Sequence, residues 1–161
     1  MKTAVVYYSM SGNCEYTAKK IARSLDADLI RLEPQKAYPD SGAKKFFWAG
    51  KSAVMGEAPA LKPYKFKAPA YDRIIFGFPV WAANPTPPIR TFIRENEDKL
   101  RGKKFAAFAC QSGNGAEKAL AKLKKMLGTD DLEAELILID PLEKPDPGKD
   151  QAITGFCEKL R

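Results

Sequence analysis

With 161 residues and 45% hydrophobic composition, the chain has enough apolar material for one complete core and too little for two, so one domain is expected. Three widely spaced cysteines point to neither a disulfide framework nor a zinc site, and the absence of histidine removes the usual catalytic triads, imidazole metal centres and imidazole proton shuttles. Twenty-seven basic against 20 acidic residues give a net charge of +7, which fits nucleic acid, an acidic protein partner or an anionic small ligand and does not choose among them.

In chain order, Thr3 to Tyr8, Arg73 to Phe78, Phe105 to Cys110 and Glu135 to Ile139 are nearly continuous apolar runs, as parallel strands covered on both faces require. Leu29 to Leu32 is a further, less apolar strand candidate. Helical spacing links Ala18, Ile21, Ala22 and Leu25; then Ile89, Phe92, Ile93 and Leu100; then Ala116, Leu120, Leu123 and Leu127; and finally Ile153, Phe156, Cys157 and Leu160. Thr86 can N-cap ahead of Pro87, and Gly102 and Gly128 stand as C-terminal glycines. Five strands joined by right-handed helical crossovers predict a three-layer α/β fold with an open parallel sheet. Its ligand crevice falls at the carboxyl ends of the strands, in the loops after strands one, three and four.

The connection from Glu33 to Tyr71 is longer than one crossover helix needs, and is read as a helix near Ala43 to Met55 followed by an extended stretch from Ala58 to Pro69. No window approaches the roughly 20 apolar residues of a membrane span, and Met1-Lys2 runs straight into the first strand without a signal sequence. A soluble cytoplasmic protein with reduced thiols is expected. The basic cluster from Lys118 to Lys125 reads as the outer face of an amphipathic helix, with a partner patch as the alternative.

Three loops carry chemistry. Ser9-Met10-Ser11-Gly12-Asn13-Cys14 joins the first strand to a helix start, where backbone N–H groups, two hydroxyls and a glycine can surround a phosphate. An ordinary capped turn is the plainer alternative. Pro79-Val80-Trp81-Ala82-Ala83-Asn84 follows the third strand and sets an indole where it can stack on a planar ring. Cys110-Gln111-Ser112-Gly113-Asn114-Gly115 follows the fourth, and its glycines let main-chain groups reach a ligand edge. A phosphorylated cofactor accounts for all three at once.

Together these motifs make nearly the whole chain resemble the flavodoxin family: SMSGN as phosphate loop, GFPVW and CQSGNG as ring loops, and the strand-helix order. The resemblance implies strand order 2-1-3-4-5 and one noncovalent FMN. Its phosphate is implied to sit on Ser9, Ser11, Gly12, Asn13 and Cys14, and its isoalloxazine between the second and third loops. The uninterrupted fifth strand matches the short-chain form. The implied function is electron transfer between redox partners without catalytic side chains; the alternative is an FMN-dependent NAD(P)H oxidoreductase acting on quinones or other small oxidants. A flavin-free basic binding module is the third reading, and leaves the three loops unexplained.

Three departures from the family stand out. Cys14 replaces the usual threonine, losing a hydroxyl donor, and its place at a helix N-terminus implies a lowered thiol pKa in the empty site. Ala82-Ala83 stands where glycine often permits a peptide flip beside the flavin; alanine at positive φ costs on the order of 1–2 kcal/mol, so the one-electron form is expected to accumulate less. The excess of positive charge favours an acidic partner such as a ferredoxin-like protein.

Two decoys fall away. Ala49-Gly50-Lys51-Ser52 lacks the first glycine and preceding strand of a nucleotide P-loop, and Gly77-Phe78-Pro79 lacks the aspartate of a response regulator. The acidic pairs Asp26 with Asp28 and Asp130 with Asp131 receive no chemistry, and Trp48 with Phe46 and Phe47 is read as packing.

Overall fold

The computed structural model describes residues 1–38, 51 and 56–161. Its strands are β1 (Thr3–Tyr7), β2 (Asp28–Arg31), β3 (Arg73–Pro79), β4 (Lys104–Gln111) and β5 (Glu135–Ile139). All neighbours pair in parallel, in the order β2-β1-β3-β4-β5. The helices are α1 (Asn13–Leu25), α2 (Pro87–Glu95), α3 (Ala116–Leu127) and α4 (Pro147–Lys159). The order is the one expected, and it reverses between β1 and β3, which opens a crevice at the carboxyl edge.

Alternation inside the apolar strands divides the core in two. Ala4, Val6, Ile74, Phe76 and Phe78 turn to the side packed by Ile89 and Phe92 of α2 and Leu120 and Leu123 of α3. Val5, Tyr7, Ile75 and Phe108 turn to the side packed by Ile21 of α1 and Ile153 and Phe156 of α4. Two buried faces explain why the central strands read as unbroken hydrophobic runs. β2, at one edge, buries only Ile30 of its four residues, which is why its pattern is fainter.

Gly77 lies beside Phe108 of β4, and a Cβ there would stand 2.0 Å from the ring. The glycine in GFPVW thus admits the Phe108 ring of the neighbouring strand. At the opposite, amino edge, buried Arg73 pairs with Glu133 and donates to the Leu160 carbonyl at 2.8 Å, tying the end of α4 to the sheet.

Several expectations are corrected. The helix read through Leu100 stops at Glu95, because Asn96 turns its amide back onto the Phe92 carbonyl at 2.8 Å; Leu100 belongs to a separate 3₁₀ turn, Glu97–Leu100. Gly102 therefore follows that turn, whereas Gly128 does cap α3. Thr86 is the N-cap residue of α2 by position, but its hydroxyl makes no cap. An N-cap oxygen bonds the second or third helical N–H; Pro88 has none, and that of Ile89 donates to the Thr86 carbonyl at 3.0 Å. The extended stretch after Ala58 is present as irregular chain that pairs once, at Leu61, with Pro34. Of the helix expected near Ala43 to Met55 only Lys51, which is helical, is described; the rest of it, and the aromatics at 46–48, lie outside the described residues. Among the described residues no helix is long and apolar enough to cross a membrane.

Candidate functional site

The three loops meet at the carboxyl edge around a cavity of about 420 Å³. Ser9, Met10, Ser11, Asn13 and Cys14 line it from the first loop, Pro79, Val80, Trp81 and Ala82 from the second, and Cys110 to Asn114 from the third. Gly12, Ala83, Asn84 and Gly115 do not line it; they shape the loops that do.

In the first loop, Gly12 takes φ +100°, a left-handed conformation that L side chains resist, and starts α1 without a side-chain cap. The cap comes from further back: Ser9 Oγ accepts from the Glu15 N–H at 3.1 Å, which leaves the Ser9 hydroxyl hydrogen free to donate. Among the described residues the N–H groups of Met10 to Cys14 have no protein acceptor. Unsatisfied donors at the positive end of a helix are the chemistry of an anion cradle. The third loop repeats the device. Gly115 starts α3 at φ +98°, and Gln111 Oε1 accepts from the Ala116 N–H at 3.1 Å.

The second loop is a two-residue turn closed by reciprocal hydrogen bonds between Trp81 and Asn84 at 3.1 and 2.9 Å. Both central residues are left-handed, Ala82 at φ +50° and Ala83 at φ +59°, so the positive-φ alanines expected from the sequence are present. At about 1–2 kcal/mol each, this is strain held at the cavity rim. The Asn84 amide donates to the Ala82 carbonyl at 2.7 Å and braces the turn, and Gly115 fits closely against Ala83, locking the second loop to the third. Trp81 is half-buried and meets Tyr38 and Tyr8 edge-on at 5.1 and 5.7 Å between ring centres.

The segment after β5 was missed by sequence reasoning. Asp140 and Glu143 also line the cavity. Asp140 is buried at φ +41°, its carboxylate accepting from Ser112 Oγ at 2.8 Å and facing Lys144 at 3.7 Å. The Leu142 N–H donates to Asn13 Oδ1 at 2.9 Å, and Leu142 lies over Gly12, so this strap is fastened to the first loop. The signal was available: Asp140 directly follows a fifth strand that ends at the same sheet edge.

The thiol expectation is reversed. Cys14 is 1% exposed, and burial, with a hydrogen bond to Cys110, pushes its pKa well above the ordinary thiol value. Desolvation outweighs the helix N-terminus.

Among the described residues no lysine or arginine lines this cavity, although the chain carries +7. Arg31 reaches the back of the first loop, 3.4 Å from the Ser9 carbonyl, with Glu15 and Glu33 beside it at 3.1 and 3.3 Å. Among the described residues, the donors offered to an anion here are neutral.

Fold and site thus define an α/β protein with a phosphate-type cradle and an aromatic-rimmed crevice at a topological switch point. The flavodoxin family model matches residues 2–144. The chain belongs to the flavodoxin family. Among solved structures, a candidate flavoprotein from Bacteroides eggerthii is similar at 24% identity and TM-score 0.74, over 98% of this chain and 96% of that one. A flavoprotein from Lactobacillus acidophilus in complex with FMN has 23% identity and TM-score 0.71, over 88% of this chain and 95% of that one. Oxidised flavodoxin 2 from Bacillus cereus has 21% identity and TM-score 0.60, over 99% and 97%. At these identities the likeness concerns the fold. No curated protein matches the sequence significantly.

Proposed function

We propose that the protein is an FMN-binding electron carrier. The observation that supports this best is the run of N–H groups from Met10 to Cys14 that have no acceptor among the described residues, in a loop that lines a cavity of about 420 Å³ together with Trp81. That volume lies in the range of cofactor pockets, and the donor set suits a phosphate that needs no cation. The FMN complex of the Lactobacillus acidophilus flavoprotein agrees with the assignment.

In this reading the amides of Met10 to Cys14 and the hydroxyls of Ser9 and Ser11 bind the phosphate. Trp81, Ala82 and the segment Ser112 to Asn114 flank the ring and hold its orientation. The Trp81, Tyr8 and Tyr38 cluster excludes water from one side of the crevice. FMN, when bound, supplies the redox chemistry, and the chain sets its potential and orientation.

The donor and acceptor are proteins in this proposal, with an acidic surface on at least one, because the net charge of +7 steers such partners. Free Cys14, Cys110 and Cys157 suit work in the reducing cytoplasm. Loading with FMN followed by photoreduction and challenge with acceptors tests the reading. Bound flavin that passes electrons to an acceptor protein, without consuming NAD(P)H by itself, supports it. Steady NAD(P)H consumption with no added reductase would make the protein an oxidoreductase instead.

A further inference from the structure

Among the described residues, the positive charge that the carboxyl-edge cavity lacks gathers at the other end of the sheet. A groove of about 540 Å³ opens between the C-terminal ends of α2 and α3 and the amino edge of β4. Its floor is aliphatic and aromatic: Ile93, Leu100, Phe105, Met126 and Leu127. A smaller hollow of about 230 Å³ continues it along the seam between the two helices, sharing Ile93, Glu97 and Met126. Around the two stand Arg90, Arg94, Arg101, Lys103 and Lys125 against the single carboxylate Glu97, a local charge of +4 out of +7 for the chain.

Arg101 pairs with Asp98 and Lys103 donates to the Ala68 and Tyr71 carbonyls, whereas Arg90, Arg94 and Lys125 have no carboxylate partner among the described residues. Arg90 and Arg94 sit one helical turn apart and repel each other; partial burial first, and this repulsion second, pulls the Arg90 pKa down. A pair of like charges beside an apolar floor lowers its own free energy by meeting carboxylates.

We infer that this amino-edge groove is the docking surface for an acidic protein segment that carries one apolar anchor side chain. The inference extends the acidic-partner part of the functional reading and is independent of its cofactor part. The floor offers the anchor a seat, with Met126, half-buried and unbranched, able to adapt to it. The rim cations are spread along the seam, which suits carboxylates spaced along a peptide. A compact phosphate fits worse, because it needs cations converging on one point, whereas Arg90 and Arg94 lie a helical turn apart on α2 and Lys125 stands on α3; the helix C-termini oppose phosphate and carboxylate alike. Single-stranded nucleic acid also fits worse, since the one aromatic ring on the floor, Phe105, is 8% exposed and gives no platform for base stacking.

The test is a titration of the FMN-saturated and the flavin-free protein with a fluorescent acidic peptide of about eight residues bearing a central leucine. Controls are the same peptide with alanine for leucine, its lysine counterpart, and oligothymidine of similar charge. The variant Arg90→Gln/Arg94→Gln/Lys125→Gln is compared with Lys65→Gln/Lys118→Gln/Lys159→Gln, which removes the same charge elsewhere. Expected is a loss of at least about tenfold in peptide affinity for the first variant and under about twofold for the second, together with weakening when leucine is removed. Equal losses in both variants, no binding even at low salt, or stronger binding of oligothymidine than of the peptide would overturn the inference. Binding that persists without flavin separates its fate from that of the cofactor assignment.

Discussion

The two ends of the sheet solve opposite electrostatic problems. Among the described residues, the carboxyl-edge cavity suited to an anion is lined by no cation and by two carboxylates, Asp140 and Glu143; at the amino edge, an apolar groove is ringed by five cations and one carboxylate. The first uses oriented N–H dipoles, which are short-ranged, directional and weakly screened by salt. The second uses mobile side-chain charge, which acts at a distance and fades with ionic strength. Net charge therefore says little about what the cavity binds and much about what approaches the molecule from outside.

The sharpest test of this division is a crossed pair of variants. Gly12→Val places a Cβ 3.0 Å from Leu142 at φ +100°, and is expected to weaken FMN binding by about a hundredfold or more while leaving acidic-peptide binding intact. The groove variant at Arg90, Arg94 and Lys125 is expected to do the reverse. Dissociation constants for both ligands on both proteins check it, with circular dichroism confirming the fold; parallel losses would erase the distinction.

Salt is the next largest lever. Raising ionic strength from low to physiological is expected to weaken the peptide about tenfold and to change FMN affinity by less than about twofold. A steep salt dependence of FMN binding would mean that a lysine or arginine reaches the phosphate after all.

A smaller effect is expected from Asp140→Asn. Asparagine tolerates the left-handed φ and can still accept from Ser112, so the change removes charge and little else. FMN affinity should rise on the order of threefold to tenfold, as one screened carboxylate near a dianion implies. Calorimetry showing no change would put Asp140 outside the field of the phosphate.

Smallest is the strain in the second loop. Ala82→Gly and Ala83→Gly should each stabilise the protein by about 0.5–1 kcal/mol, the left-handed penalty less the extra chain entropy of glycine. Thermal melts of the flavin-free protein would show this as a rise of roughly 1–4 °C per substitution. A fall in either variant would mean that the alanine methyl groups contribute more through packing, as the tight contact of Ala83 with Gly115 allows.

The strands and three of the loops that line the carboxyl-edge cavity could be read from residues, because buried parallel strands leave unbroken apolar runs and phosphate cradles need glycine beside hydroxyls; the order of the strands followed only from the resemblance to the flavodoxin family. What escaped did so for physical reasons. Asp140 sits in a short connection where charged residues are ordinarily solvated, and nothing local marks it as buried. The helix terminus implies a lowered Cys14 pKa, whereas burial, and after it the hydrogen bond to Cys110, 96 residues away in sequence, raises it, and both arise only on folding. Leu100 continues the spacing of α2, yet the Asn96 side chain ends the helix first. The amino-edge groove draws its cations from α2, α3 and the turn before β4, so no single window of sequence contained it; the run from Lys118 to Lys125 signalled only one of its walls, at Lys125, while Lys124 turns to Glu135 at 2.8 Å.

Titration of purified, flavin-free protein with FMN tests the account most directly, because everything at the carboxyl edge follows from the unsatisfied amides of Met10 to Cys14. One equivalent should bind with a shifted flavin absorbance and altered flavin fluorescence, and riboflavin, which lacks the phosphate, should bind far more weakly. A folded protein that leaves FMN free at high concentration, or that binds riboflavin equally well, would contradict it.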